Sequence, residues 1–345
     1  MRTIALFLPN WIGDVVMATP AIAAIRKHFR NARILGVSTK YVADTVAGSP
    51  RLDRILTFEK DKPYDLIREL HTERADVAVL FPNSFRSALL ARLGGCSRVV
   101  GYARYFRDAL LSNRIYPKRD RHGLPKPTPV IDDYNRLAIS LGTPKPDRRM
   151  ELFTTATDES LAATVWAQLG LNRYRTVVGL NPGGAFGAAK HWPTSHFAEL
   201  AKTFAANRGA GVLVLCGPSE REEARRIVAA AAHPNVTSLA DQAQSIGLSK
   251  AIVRRLSLMV TTDSGPRHFA TAFGIPTVAL FGPTYIAWTE TYAANAVNLQ
   301  LKMPCGPCQQ RVCPLGHHRC MKDLMPNDVF AAADSLLAAG VRHAG

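Results

Sequence analysis

The 345-residue chain carries 43 lysines and arginines against 27 aspartates and glutamates, a formal net charge of +16, and is 47% apolar. That length exceeds what one ordinary core organises and implies two domains of about 150 residues each. No window offers about twenty apolar residues without a charge, so no membrane-spanning helix is expected, and the positive excess favours anionic partners: nucleic acid, acidic membrane or phosphorylated small molecules.

Short apolar runs alternate with amphipathic segments along most of the chain. Residues 3–8 read as a buried strand and 14–29 as the helix after it, with further strands at 33–37, 77–81 and 98–102. Arg2 and the apolar residues behind it faintly resemble a signal peptide. Pro9, Asn10 and Asp14 interrupt that run and no small-residue cleavage site follows, so the expectation is a cytoplasmic protein. The Pro-rich basic stretch 118–133 and the breaker-rich stretch 142–155 flank a helix suggested by 134–141, which places a domain boundary near residue 155. The rhythm then restarts, with strands at 176–181, 211–216, 258–262 and 277–281. Helices are expected at 195–207, 220–231, from Pro266 onward and at 327–339. Strands separated by helices imply βαβ units and parallel sheets. The fold class is therefore α/β, with Rossmann-like doubly wound domains over 1–155 and 156–325 and a terminal segment 326–345.

In such sheets ligands bind beyond the carboxyl ends of the strands, and four strand-to-helix loops hold suggestive residues. In "LPNWIGDVV" Gly13 permits a tight turn and Asp14 falls in the first helical turn. That acid either complements the helix dipole or acts as a general base. In "NPGGAFGAAKHWP" glycines including Gly183 and Gly184 precede Lys190, a pattern suited to an anion cradle or to a solvated lysine on a glycine-rich loop. It matches neither the P-loop nor the GxGxxG spacing. In "CGPSE" Glu220 is either a helix-start acid or an acceptor for ribose hydroxyls. In "TTDSGPRHFATAFGIPTVALFGPT" Asp263, Ser264 and Gly265 follow a strand, Pro266 suits the first helical position, and His268 faces either a ligand or the helix packing.

Three of these segments, "LPNWIGDVVMATPAI", "NPGGAFGAAKHWP" and "TTDSGPRHFATAFGIPTVALFGPT", resemble the ADP-heptose:lipopolysaccharide heptosyltransferases of glycosyltransferase family 9, in the family's order and over nearly the whole chain. The tail "CGPCQQRVCPLGHHRCM" is similar to the cysteine-containing form of the type II members. The resemblance implies a GT-B fold, with the first domain binding acceptor, the second binding ADP-heptose, and the terminal helix crossing back to the first. It implies inverting transfer of heptose to the Kdo–lipid A inner core, as the second heptose added to the first, without a required cofactor. Asp14 would be the base and Lys190 the diphosphate-binding lysine. Gly183, Gly184 and the amides around Ser264 and Gly265 would add donors to the diphosphate, Glu220 would hold the ribose, and Asp263 would contact the sugar with His268 beside it. The resemblance departs at Arg267, where members often carry an apolar residue; an arginine there points outward or adds a phosphate contact.

Residues 98–126 hold Arg98, Arg104, Arg107, Arg114, Lys118, Arg119, Arg121 and Lys126 against Asp108 and Asp120, with Tyr102, Tyr105 and Phe106 interleaved. This reads either as a solvated surface or as an acceptor groove, and Asn10, Trp11, Arg104 and Arg107 are its candidate contacts. Positive charge would also hold the protein at the cytoplasmic face of the inner membrane. No nucleic-acid-binding motif is present, so nucleic acid is not an expected partner. Cys305, Cys308, Cys313 and Cys320 follow a C-x2-C-x4-C-x6-C spacing. Two readings stay open for them, a closed structural zinc site and free packed thiols. The rival functions are a heptosyltransferase acting at another core position, a non-catalytic nucleotide-sugar binder and a charged nucleic-acid-binding protein.

Overall fold

The apolar runs form two six-stranded, wholly parallel sheets, one in each of two units. The computed structural model describes residues 2–343 apart from 60, 120, 123–126 and 185. Asp120 and Lys126 of the basic stretch thus lie outside the described residues.

The first unit runs β1 (Thr3–Phe7), α1 (Ile12–His28), β2 (Arg33–Ser38), α2 (Lys40–Val46), β3 (Arg54–Thr57), α3 (Pro63–Thr72), β4 (Val77–Leu80), α4 (Phe85–Leu93), β5 (Arg98–Tyr102), β6 (Asn113–Ile115) and α5 (Val130–Ile139). Its strand order is β3-β2-β1-β4-β5-β6. Every residue of β1 and β4 is buried, as expected of parallel strands covered on both faces. One core layer joins Ile4, Leu6, Val79 and Val100 to Val15, Ile22 and Leu137 of α1 and α5. The other joins Ala5, Phe7, Leu35 and Leu80 to Leu66, Leu70 and Ala88 of α3 and α4.

Helix α1 contains Pro20, which has no N–H for the carbonyl of Val16. The Thr19 hydroxyl donates to that carbonyl at 2.7 Å and in turn accepts the Glu151 N–H at 3.0 Å. The helix therefore continues through the proline, and the chain leaving the unit is tied to it.

The second unit runs α6 (Ala156–Gln168), β7 (Val177–Asn181), α7 (Thr194–Arg208), β8 (Gly211–Val214), α8 (Arg221–Ala231), β9 (Val236–Ser238), α9 (Ile246–Arg254), β10 (Leu258–Thr262), α10 (Gly265–Ala272), β11 (Thr277–Phe281), β12 (Ala296–Gln300), α11 (Arg319–Lys322) and α12 (Pro326–His343). Its order, β12-β11-β10-β7-β8-β9, repeats that of the first unit when read from β9. A capping box sets the start of α6: the Thr155 hydroxyl accepts the Asp158 N–H and the Asp158 carboxylate accepts the Thr155 N–H.

The units divide between Phe153 and Thr154, close to the expected boundary. Two features differ from expectation. Residues Ala287–Tyr292 belong to the first unit. Tyr292 donates its hydroxyl to Asp132 Oδ2 at 2.8 Å, and the Arg148 guanidinium lies 4.1 Å from its ring centroid. The terminal helix α12 belongs to the second unit rather than crossing to the first. Phe330 packs on Phe204 of α7, Asp334 pairs with Arg208, and the Trp192 indole N–H donates to Leu324 O just before the helix. Those contacts bury its apolar face at home. Among the described residues no helix is long and apolar enough to cross a membrane.

Candidate functional site

In each sheet the strand order reverses at one place, between β1 and β4 and between β7 and β10. Loops beyond the carboxyl ends of strands at such a reversal form the ligand crevice of doubly wound sheets. Asp14 follows β1, Lys190 follows β7, and Asp263 follows β10, so three of the expected residues arise there.

In the second unit the ends of β7 and β10 are joined by a buried amide. Asn181 Nδ2 donates to Thr261 Oγ1 at 3.0 Å and to Ser264 Oγ at 2.8 Å. Thr262 then donates its hydroxyl to Gly183 O. The Glu220 carboxylate accepts the Gly184 N–H at 3.2 Å and the Gly217 N–H at 2.8 Å, bridging the loop after β7 to the loop after β8. Each Glu220 oxygen keeps a further lone pair for a ligand hydroxyl. A Cβ on Gly183 would stand 2.1 Å from Glu220 Oε1, so any larger residue would displace the Glu220 carboxylate from its place.

Lys190 is buried, and Nζ donates to Asp263 Oδ2 at 2.6 Å and to Asp263 O at 2.9 Å. Thr284 donates to the same Oδ2 at 2.9 Å. Burial opposes the charge on Asp263, but Arg267 and then Lys190, together with the Lys190 and Thr284 hydrogen bonds, hold its carboxyl at about 2. One oxygen of the Asp263 carboxylate, Oδ2, thus accepts from both Lys190 and Thr284. Arg267 points inward, fully buried, with its guanidinium 5.0 Å from the Phe281 ring centroid. That position contradicts the outward orientation expected for it. His268 is likewise buried, and burial followed by Arg267 drives its imidazole down to about 3, so it is neutral. Two cations around one carboxylate leave the cluster net positive, suited to an anion.

The loop carrying Lys190 is braced from behind by the cysteine-bearing tail. Ala189 N–H donates to Arg311 O at 3.0 Å, and His318 Nε2 is hydrogen-bonded to Ala189 O at 2.7 Å. Gly187 has φ +149°, and a Cβ there would meet Arg311 O at 2.5 Å. Lys190 Nζ and the Arg311 guanidinium lie 4.7 and 5.7 Å from the Phe186 ring centroid. Cys305, Cys308, Cys313 and Cys320 line one pocket with His317 and His318. The His318 N–H lies 3.4 Å from Cys313 Sγ and pulls that thiol's pKa down. Among the described residues no three His, Cys, Asp or Glu side chains form a set that could hold a metal ion.

In the first unit Asp14 lies in the first turn of α1, half-buried, and its charge, after burial, raises the pKa of Tyr134 on α5. Asn10 and Trp11 beside it are exposed. Arg107 requires correction as an acceptor contact. It is fully buried, and donates from Nε to Tyr102 O at 2.9 Å, from Nη1 to Pro82 O at 2.6 Å and Ser84 O at 3.2 Å, and from Nη2 to Asn83 Oδ1 at 3.1 Å. Its donors are committed to holding the loops after β4 and β5 together. Burial lowers it to about 10, still charged at neutral pH. Tyr102 is also buried, whereas Arg104, Tyr105 and Phe106 reach the surface. Sequence reading missed Asn181, Thr262 and Thr284; a polar residue at a strand end was the only signal for the first two, and Thr284 lies three residues past the end of β11.

The profile described as glycosyltransferase family 9 (heptosyltransferase) matches residues 64–319. Lipooligosaccharide heptosyltransferase 2 of Campylobacter jejuni is 29% identical, covering 97% of this chain and 98% of that protein. Lipopolysaccharide heptosyltransferase 2 of Escherichia coli K12 is 25% identical, covering 95% and 97%. The solved structure of E. coli ADP-heptose lps heptosyltransferase II superposes with a TM-score of 0.82 at 25% identity, covering 99% of each chain. The two parallel sheets with flanking helices therefore match the GT-B fold expected from the sequence.

Proposed function

The chain belongs to glycosyltransferase family 9, the heptosyltransferases, and we propose that it transfers L-glycero-D-manno-heptose from ADP-heptose to the inner core of lipopolysaccharide, as the second heptose on the first. The observation that carries this reading is the loop cluster of the second unit, where Lys190, Arg267 and the glycine-rich turn surround Asp263 and Glu220. Nucleotide-sugar transfer needs such a cluster, with cationic charge for a diphosphate and a carboxylate for ribose hydroxyls. End-to-end similarity to type 2 enzymes supports the choice of position.

Asp14 accepts the proton of the acceptor hydroxyl as that oxygen forms a bond to the anomeric carbon. The bond from that carbon to the ADP oxygen breaks with its electron pair passing to the diphosphate, and a single displacement inverts the carbon. Lys190 stabilises the charge growing on the leaving diphosphate, the role otherwise given to a divalent metal. Asp263 positions Lys190. The acceptor is a Kdo–lipid A core, so the enzyme works at the cytoplasmic face of the inner membrane, where its +16 charge favours the anionic surface.

The test follows ADP release by purified protein with ADP-heptose, EDTA, and Kdo–lipid A cores bearing no heptose or one. Release that needs the one-heptose core and disappears in Asp14→Ala supports the reading. Release with the heptose-free core alone moves the enzyme to the first transfer, and loss of release in EDTA overturns the metal-free mechanism.

A further inference from the structure

Just past β5 the chain does something that neither the catalytic loops nor the core requires. Tyr105 and Phe106 are consecutive left-handed residues, with φ of 54° and 58°. For side chains with a Cβ this backbone is unfavourable and persists only where the surroundings impose it. Its result is a Phe106 side chain 98% exposed beside a Tyr105 67% exposed. The next residue is the fully buried Arg107, whose guanidinium is fastened to four groups of the β4 and β5 loops. A rigid pedestal thus holds two aromatic rings out in water.

Around the tip Arg104, Arg114 and Arg136 outnumber Asp108 and Asp133, the latter 4.0 Å from Arg136. Ala103 N–H donates to Ile115 O, which brings the end of β6 alongside and places the exposed Tyr116 on the same edge. The Arg104 and Arg136 guanidiniums lie 6.0 and 5.6 Å from the Tyr102 ring centroid, and Arg136 also donates to Tyr116 O at 3.0 Å. Arg114 reaches Asp108 O at 3.0 Å. A soluble anion would need those cations but gives no reason to hold a phenyl ring clear of the protein. An anionic bilayer uses both: basic side chains meet the headgroups while aromatic rings enter the interfacial layer.

We infer that Tyr105 and Phe106 form a membrane-docking wedge, seated in the interface of an anionic lipid bilayer and flanked by Arg104, Arg114 and Arg136. The wedge fixes orientation as well as affinity, since charge alone would hold the surface in many poses. It rests on the functional reading only in that the acceptor is lipid-borne. Vesicle binding is measured without donor or acceptor, so its failure would leave the transferase reading standing.

The test uses the full chain and vesicles of phosphatidylglycerol and phosphatidylcholine in equal parts, with pure phosphatidylcholine as comparison. Sedimentation should show binding to the mixed vesicles that falls about tenfold in the Tyr105→Ser, Phe106→Ser double variant, whose charge is unchanged. Phe106→Trp should keep the binding and add a fluorescence component quenched by brominated acyl chains. Equal binding by the double variant, or an unquenched tryptophan, overturns the wedge. Protection of that tryptophan from quenching by lipid-free, heptose-bearing core oligosaccharide also overturns it, assigning the tip to the acceptor sugar.

Discussion

Lys190 and Asp263, 73 residues apart, meet in a buried pair in which Nζ donates to both the side-chain and main-chain oxygens of the aspartate. Asp263 thereby fixes the position of the Lys190 ammonium. Lys190→Met should lower turnover by about 10²–10³ and weaken ADP binding. Asp263→Asn should produce a loss of the same kind, because the asparagine leaves Lys190 loosely held. If the two act as a unit, the double variant will be little worse than Lys190→Met alone, which a double-mutant cycle on ADP release measures directly. Additive losses would instead assign Asp263 its own contact with substrate.

The buried imidazole of His268 makes stability depend on pH. Its folded pKa is lowered to about 3, against about 6.5 in the unfolded chain. Between those values the unfolded state binds the extra proton, so stability is complete above about pH 6.5 and declines as pH falls. The slope from this one group is about 1.4 kcal/mol per pH unit. Asp263, held at about 2, contributes stability that is full above about pH 4 and is lost only below it. Urea unfolding between pH 7.5 and 4.5 should show a shallower slope in His268→Gln than in the parent protein, the remainder coming from His196, whose imidazole pKa burial also lowers. An unchanged slope in the variant would place the titrating group elsewhere.

The strand-to-helix grammar made the strand-end loops of both units legible. Asp14, Lys190, Glu220 and Asp263 each follow an apolar run and precede or open a helix, and the doubly wound order then places them at strand ends. What spacing could not show was which of them meet. The Lys190–Asp263 pair and the Gly183–Glu220 approach depend on sheet order, which brings β7 between β8 and β10. The burial of Arg107 was not legible, because arginines that line a surface and arginines that hold carbonyls inside look the same in a sequence. Residues Ala287–Tyr292 belong to the first unit, where Tyr292 meets Arg148 and Asp132, contacts with no periodicity to announce them.

Gly183→Ala tests the approach of the two loops. Its Cβ would fall on the Glu220 carboxylate, at 2.1 Å from Oε1 and 2.3 Å from Oε2, so the side chain must leave its bonds to the Gly184 and Gly217 amides. ADP affinity should fall about tenfold, equivalent to about 1.4 kcal/mol, with turnover at saturating donor changed far less. Gly274→Ala is the control: it has φ +71° and nothing within 4 Å of its Cβ position, so it strains the backbone without touching this site. Isothermal titration with ADP should separate the two variants, and equal affinities would remove Glu220 from the nucleotide site.

Arg104 and Arg107 are three residues apart and should fail in different ways. Arg107→Met removes the donors to three main-chain carbonyls and Asn83 while leaving those acceptors in the interior. Unsatisfied groups of this kind cost about 1–3 kcal/mol each, partly relieved by water. A net loss of about 3 kcal/mol corresponds to a fall in Tm of about 6–12 °C in domains of this size. Arg107→Lys should recover little of it, since one ammonium cannot reach four acceptors spread around a planar fork. Arg104→Ala, half-exposed and with only a distant approach to the Tyr102 ring, should leave Tm within about 2 °C. If it meets the anionic core, the same variant should raise the acceptor KM several-fold. Thermal unfolding paired with acceptor titration reads both. A stable Arg107→Met with a raised acceptor KM would return that residue to the substrate surface.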